Sequence, residues 1–236
     1  MSRPRLCSAL SLRDSSAPAA VVPRIEAHAA RLEQLPDDRW PTDAEAQARM
    51  LRAVQGLYGL DAVTVGERSL VTAARQCRSL GPGAGPASVC EMTGVALACD
   101  VMRRLRSVLA ERAGIATVLP DASRLASLVG AAAETEWAGA VLVELVRAVG
   151  PEEPDLILLC GDDPLDPTLE TLAEFFGVPL LPIGRSAPAG LVAATAEAFV
   201  RGDSPTGWLY TTTTEIDPAE DPASLRAAID RLRSPR

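Results

Sequence analysis

The chain of 236 residues has no lysine and no asparagine, and a single histidine. Without lysine there is no Schiff base, no pyridoxal-linked enzyme and no Walker-type phosphate loop. With one histidine, a zinc site built on two or three imidazoles cannot form within the chain. A Ser–His–Asp triad would have to use His28, and no Gly-x-Ser-x-Gly turn accompanies it. His28 lies in a helix-like stretch, residues 24–32, and reads as a packing or surface side chain. Aromatic residues make up 3% of the chain, so the core has to be built from leucine, valine and alanine. No apolar run reaches membrane-spanning length, which argues against a membrane partner. Residues 1–22 lack the apolar core of a secretory signal; their Ser, Ala, Pro and Arg content reads as a flexible N-terminal tail before a single barrel-like domain over 23–236.

What is present narrows the class further. The net charge is -8 and the pI about 4.8, so the surface repels phosphate backbones and nucleic acid is not expected as a partner. The five cysteines, Cys7, Cys77, Cys90, Cys99 and Cys160, show no Cys-x-x-Cys spacing and are odd in number. They read as reduced, mostly buried thiols of a cytoplasmic protein. The Gly81-Pro82-Gly83-Ala84-Gly85-Pro86 loop is too broken by proline to cradle a phosphate.

Strand-like and helix-like segments alternate. Strands are expected at 61–65, 87–90 (weakly), 115–119, 155–160, 178–183 and 208–213. Helices are expected at 24–35, from a Thr42 or Asp43 cap to Leu57, to Arg78, 94–113, after Asp121, 137–149, to Phe176, 189–201 and through the C-terminal run to Arg233. Strands each followed by a helix imply a parallel sheet with right-handed crossovers. A full (β/α)8 barrel takes about 250 residues. The expected fold is therefore α/β, (β/α)8-barrel-like, shortened or incomplete, with parallel strands inside and helices outside.

In such folds the chemistry collects where strands end. Residues just past the expected strands are Glu67 and Arg68; Glu91 and Thr93; Asp121 and Ser123; Asp162 and Asp163; Arg185 and Ser186; Thr214, Glu215 and Asp217. Carboxylates without histidine or lysine suit proton transfer, a cationic substrate or a divalent metal, although several of them, Asp121 and Asp163 among them, can simply cap the next helix. Glu91 and Glu215 are not obvious caps and are the expected acid/base pair. Glu67, Arg68, Asp121, Asp162, Arg185 and Tyr210 are expected to bind substrate, with Arg185 gripping an anionic group in bidentate fashion.

Several segments resemble the uroporphyrinogen decarboxylase superfamily, which includes cobalamin-dependent and cobalamin-independent methyltransferases. They are Arg24-Ile25-Glu26, Gly59-Leu60-Asp61-Ala62-Val63-Thr64-Val65, Leu156-Ile157-Leu158-Leu159-Cys160-Gly161-Asp162 and the C-terminal Thr214-Glu215-Ile216-Asp217-Pro218 turn. Zinc methyltransferases of that superfamily use a His-x-Cys pair and a cysteine at the end of the last strand. Here Cys160 matches the first cysteine, Leu158 stands at the histidine position and Thr214 at the final cysteine. The arginine-rich opening segment of the decarboxylases has no equivalent. The resemblance implies a divergent, shortened member with no metal and no cofactor: a lyase-like enzyme acting on a small polar metabolite in bacterial specialised metabolism. The alternatives are a methyltransferase component working with a corrinoid or folate partner, or a non-catalytic binding subunit of a hetero-oligomer. Open parallel edges suggest assembly as a homodimer or as a heterodimer with a pathway protein.

Overall fold

The computed structural model describes residues 3–13, 18–37, 39–81, 83–130, 134–202 and 206–233. Seven strands occur among them: β1 (Ala20–Val22), β2 (Ala62–Val65), β3 (Gly114–Pro120), β4 (Leu156–Cys160), β5 (Leu180–Ile183), β6 (Leu191–Ala194) and β7 (Leu209–Thr212). The helices are α1 (Arg3–Leu12), α2 (Glu26–Leu32), α3 (Ala44–Tyr58), α4 (Glu67–Ser79), α5 (Thr93–Leu109), α6 (Ala122–Leu128), α7 (Thr135–Val149), α8 (Pro167–Phe175), α9 (Ala196–Arg201) and α10 (Pro222–Arg233). Every ladder is parallel, in the orders β2-β3-β4-β5 and β1-β7-β6. The two sheets meet at β1 and β2. There the Asp61 amide donates to Val21 O (3.2 Å), the Asp61 carboxylate accepts from the Val21 amide (2.9 Å), and the Thr64 hydroxyl donates to Pro23 O (3.3 Å). The strands thus run in the order β5-β4-β3-β2-β1-β7-β6, the sequential order of a βα barrel whose first and last strands are neighbours.

Side chains alternate along each strand, and the two sets separate into two cores. Ala20, Val22, Ala62, Ala116, Val118, Leu156, Leu158, Leu181, Ile183, Leu191 and Leu209 pack with one another in the interior. Val21, Val63, Val65, Ile115, Leu119, Ile157, Leu159, Val192 and Tyr210 pack outward against the helices. Small residues on β1 to β3 face larger ones on β4 and β5, so the interior is filled by side chains.

The N-terminal end of the barrel is closed by α1. Leu6 is fully buried in the interior cluster. Gly114 leaves it room, because a Cβ there would lie 2.5 Å from Leu6 Cδ2. Arg3 pairs with Asp155 (3.0 Å) and Arg5 with Asp61 (3.3 Å), so two aspartates that precede strands hold the helix in place. Asp61, fully buried, also takes Arg233 of α10 at 2.9 Å. The segment expected as a tail therefore contributes α1 and β1 to the barrel; its residues 1, 2 and 14–17 lie outside those described. The strand is three residues long and the helix is only partly apolar, so neither shows a strong periodic signal.

Two other expectations are corrected. Residues 87–90 are not a strand but part of a 3-10 turn, Pro86–Glu91, in the helical layer. It joins α4 to α5, which pack closely: a Cβ on Gly94 would meet Ser69 O at 2.2 Å. The helix expected over 189–201 is strand β6 followed by the short α9, capped by Thr195, whose hydroxyl accepts from the Ala198 amide at 3.2 Å. Alanine-rich residues 191–194 favour a helix locally. Pairing with β7, Leu191 opposite Leu209, overrides that preference.

Candidate active site

At the C-terminal ends of β1, β2 and β7 the chain builds a pocket of about 200 Å³. Past β1 come Arg24 and Glu26, the latter opening α2. Past β2, Gly66 turns the chain at φ +97°, a conformation that favours glycine, and delivers Glu67 and Arg68 at the start of α4. Past β7 comes Glu215. These five side chains, with Arg75 of α4, form the polar wall, and Val118 lies at the base.

Glu26 is buried, and its Oε1 accepts from the Gly66 amide at 2.9 Å. Burial pushes its pKa from 4.5 to about 8; the neighbouring carboxylates of Glu215 and Glu67 push the same way, while the Gly66 amide and Arg68 oppose them. Glu215 is also raised, first by burial and then by Glu67. The Ala27 amide, which donates to Glu215 Oε1 at 2.5 Å, and the guanidinium groups of Arg68 and Arg24 pull it back. Arg24 is buried; it pairs with Glu67 and donates to Thr213 O, and its Nε has no hydrogen-bond partner. Arg124 lies 3.9 Å from Glu67. Arg68 reaches Glu215 at 3.8 Å and lies 4.7 Å from the centroid of the Trp40 ring.

The loop carrying Glu215 is fastened along α2 and the residues just before it. Ile216 N donates to Arg24 O (2.8 Å), and Arg31 donates to Pro218 O (2.8 Å). His28, fully buried, places Nδ1 3.4 Å from Asp217 O and Nε2 2.8 Å from the Tyr58 hydroxyl. A carbonyl only accepts, so Nδ1 carries the proton and Nε2 accepts from tyrosine. Burial lowers the His28 pKa. Its neighbours give the histidine a packing and positioning role.

Of the side chains expected from sequence, Glu67, Arg68 and Glu215 converge here. The others do not line this pocket. Glu91 is exposed on the 3-10 turn, away from any strand end, because no strand precedes it. Tyr210 is buried on the outward face of β7, where its hydroxyl accepts from the Gly207 amide at 3.1 Å. Asp121 caps α6, accepting from the Arg124 amide (2.8 Å), and ties down the β4 exit through the Asp163 amide (3.0 Å). Asp162 and Arg185 form an exposed pair 3.9 Å apart, and Asp162 also accepts from the Arg185 amide. Arg24 and Glu26 were missed as site residues because they follow β1, hidden in the expected tail. The available signal was Ala19-Ala20-Val21-Val22-Pro23, a short apolar run ended by proline.

The zinc site of the superfamily's zinc methyltransferases does not fit these residues. Leu158 is apolar and packs inside the barrel. Thr214 Oγ1 accepts from the Ala196 amide at 3.3 Å. Burial pushes the Cys160 thiol up to about 12, so it is held protonated rather than as a thiolate ligand. Among the described residues no group of three or more His, Cys, Asp or Glu side chains is placed to hold a metal ion.

Fold and site together define a parallel βα-barrel protein with a carboxyl- and arginine-lined pocket at the C-terminal mouth of its strands. No protein-family model matches the chain, and no curated protein matches it. Among solved structures it is similar to a methyltransferase from Methanosarcina mazei, at 13% identity and a TM-score of 0.68, over 98% of this chain and 99% of that one. Likeness at that identity establishes the barrel fold. No helix among the described residues is long and apolar enough to cross a membrane.

Proposed function

We propose that the chain is an acid–base enzyme of the lyase type, acting without a cofactor on a small polar metabolite that carries an anionic group. The observation that carries this reading is Glu26, a buried carboxyl raised to about 8 and therefore protonated at neutral pH. Arg68 is the guanidinium best placed to take the anionic group, since it is half-exposed and its pairing with Glu215 is loose. A carboxylate of the substrate leaves as carbon dioxide, the electron pair of the broken carbon–carbon bond stays on the substrate carbon, and Glu26 donates its proton to that carbon and becomes a carboxylate near Arg68. Water then returns the proton. Glu215 sets the charge around Glu26 and holds Arg68. Glu26 replaces Glu91 in the proposed acid/base pair.

The test is incorporation of solvent deuterium. The protein is incubated in D2O with a panel of small carboxylic acids, and carbon-bound deuterium and loss of mass are read by mass spectrometry. Turnover of a panel member with deuterium retained at carbon, lost in Glu26→Gln, supports the reading. Full turnover in Glu26→Gln sinks it. The shared fold of the methyltransferase from Methanosarcina mazei favours a second reading, a methyltransferase component with a corrinoid or folate partner. Methyl transfer without deuterium uptake in the same assay, on addition of a methyl donor, selects that reading.

A further inference from the structure

Arg68 and Thr72, one turn apart on α4, line two cavities at once. The first is the carboxyl-lined pocket. The second, of about 170 Å³, is bounded by α4, the start of α5 and the Pro41–Thr42 segment. Its character differs: apart from Arg68, no charged side chain lines it. The Thr42 hydroxyl donates to Arg39 O (3.0 Å) and the Ser69 hydroxyl to Gly66 O (3.1 Å), so both are engaged with backbone; Thr72, Gln76 and Thr93 complete the neutral polar part of the lining. The Pro41 ring and the Leu97 side chain supply apolar surface. Arg68 stands between the two spaces with 47% of its side chain exposed. It is held by the Trp40 ring at 4.7 Å and by Glu215 at 3.8 Å, both weak restraints for a half-exposed guanidinium.

We infer that the second cavity is the arm subsite of the same ligand. The anionic head pairs with Arg68 in the carboxyl-lined pocket, and an uncharged hydrocarbon arm crosses Thr72 into the second cavity. This narrows the small polar metabolite proposed above to a carboxylic acid whose polar head carries an aliphatic chain. A charged arm has no counter-ion there except Arg68, which the head occupies, and burying an unpaired charge is costly. This inference rests on the reading that the pocket takes a small anionic metabolite.

The experiment is calorimetric titration of the full chain with the sodium salts of straight-chain acids from acetate to decanoate. Affinity is expected to rise about fourfold per added methylene until the second cavity is full, and then to level or fall. Leu97→Trp, which fills the cavity, should stop the rise at least two methylenes earlier. Thr93→Phe, at an exposed position, gives the same readout should the first variant fold poorly. The inference is overturned if no acid binds, if the series is flat, or if both variants keep the full rise. Deuterium exchange is read separately. A preserved chain-length rise without exchange removes the acid–base reading and keeps the arm subsite; a flat series with exchange removes the arm subsite alone.

Discussion

Glu26 makes stability depend on pH in a direction opposite to that of most carboxylates. Its pKa in the folded chain is about 8, against 4.5 when unconstrained. Between those values the folded state binds the proton that the unfolded state has released. Stability from this group is thus complete below about pH 4.5 and is lost as pH rises through about 8. At roughly 1.4 kcal/mol per pH unit, ionising Glu26 in place costs about 5 kcal/mol, a ceiling because neighbouring carboxyls share the titration. Glu26→Gln keeps the shape and an oxygen for the Gly66 amide but cannot ionise. Urea denaturation of wild type and variant at pH 5, 6, 7, 8 and 9 reports Glu26 with its coupled neighbours Glu215 and Glu67, since groups not coupled to it cancel in the difference. The variant should gain on wild type steadily with pH, by about 2–5 kcal/mol between pH 5 and 9. A difference that is the same at both ends would falsify the burial argument and, with it, the assignment of Glu26 as a proton donor.

Asp61 and Cys160, at opposite ends of the barrel, give three further outcomes. Asp61→Asn should cost about 3–5 kcal/mol, because it leaves Arg5 and Arg233 without the buried carboxylate they share; an unchanged denaturation midpoint refutes this. Cys160, at about 12, should resist iodoacetamide in the native protein while the exposed Cys7 and Cys90 are modified. Protein purified without chelator should carry well under one zinc per chain, and stoichiometric zinc bound through Cys160 would overturn the reading.

The long, strongly patterned elements were legible in the sequence. The apolar run at 155–160 became β4, and the helix expected after a Thr42 or Asp43 cap became α3, capped by Asp43, whose carboxylate accepts from the Glu45 and Ala46 amides. The strand-end rule named Glu67, Arg68 and Glu215 only within a wider set of residues, most of which lie elsewhere; the pocket gathers these three. What stayed hidden depended on partners distant in sequence. β1 is three residues long and has meaning only beside β7. β6 lies in a segment whose local preference is helical. Glu91 was misplaced with the false strand before it, and Tyr210 because alternation along β7 was not phased: the residue faces the helices, and Leu209 the interior. A raised pKa such as that of Glu26 is a property of assembled surroundings, and no spacing of letters encodes it.

The pairing of β1 with β7 joins residues such as Val22 and Thr211, 189 positions apart, through a 2.8 Å hydrogen bond. Arg24 and Glu26 therefore wait for Glu215 through almost the whole of synthesis. Until the last strand emerges, β1 has a bare edge and the mouth of the barrel is open on one side. Contacts of such long reach make folding slow and late-committing. A half-made chain can gather its middle strands yet hold no pocket, so competence for chemistry arrives in one step with the docking of β7 on β1. The same geometry makes the C-terminal unit a checkpoint: a cut anywhere between β6 and β7 that lets the last strand drift removes the site without touching a residue inside it.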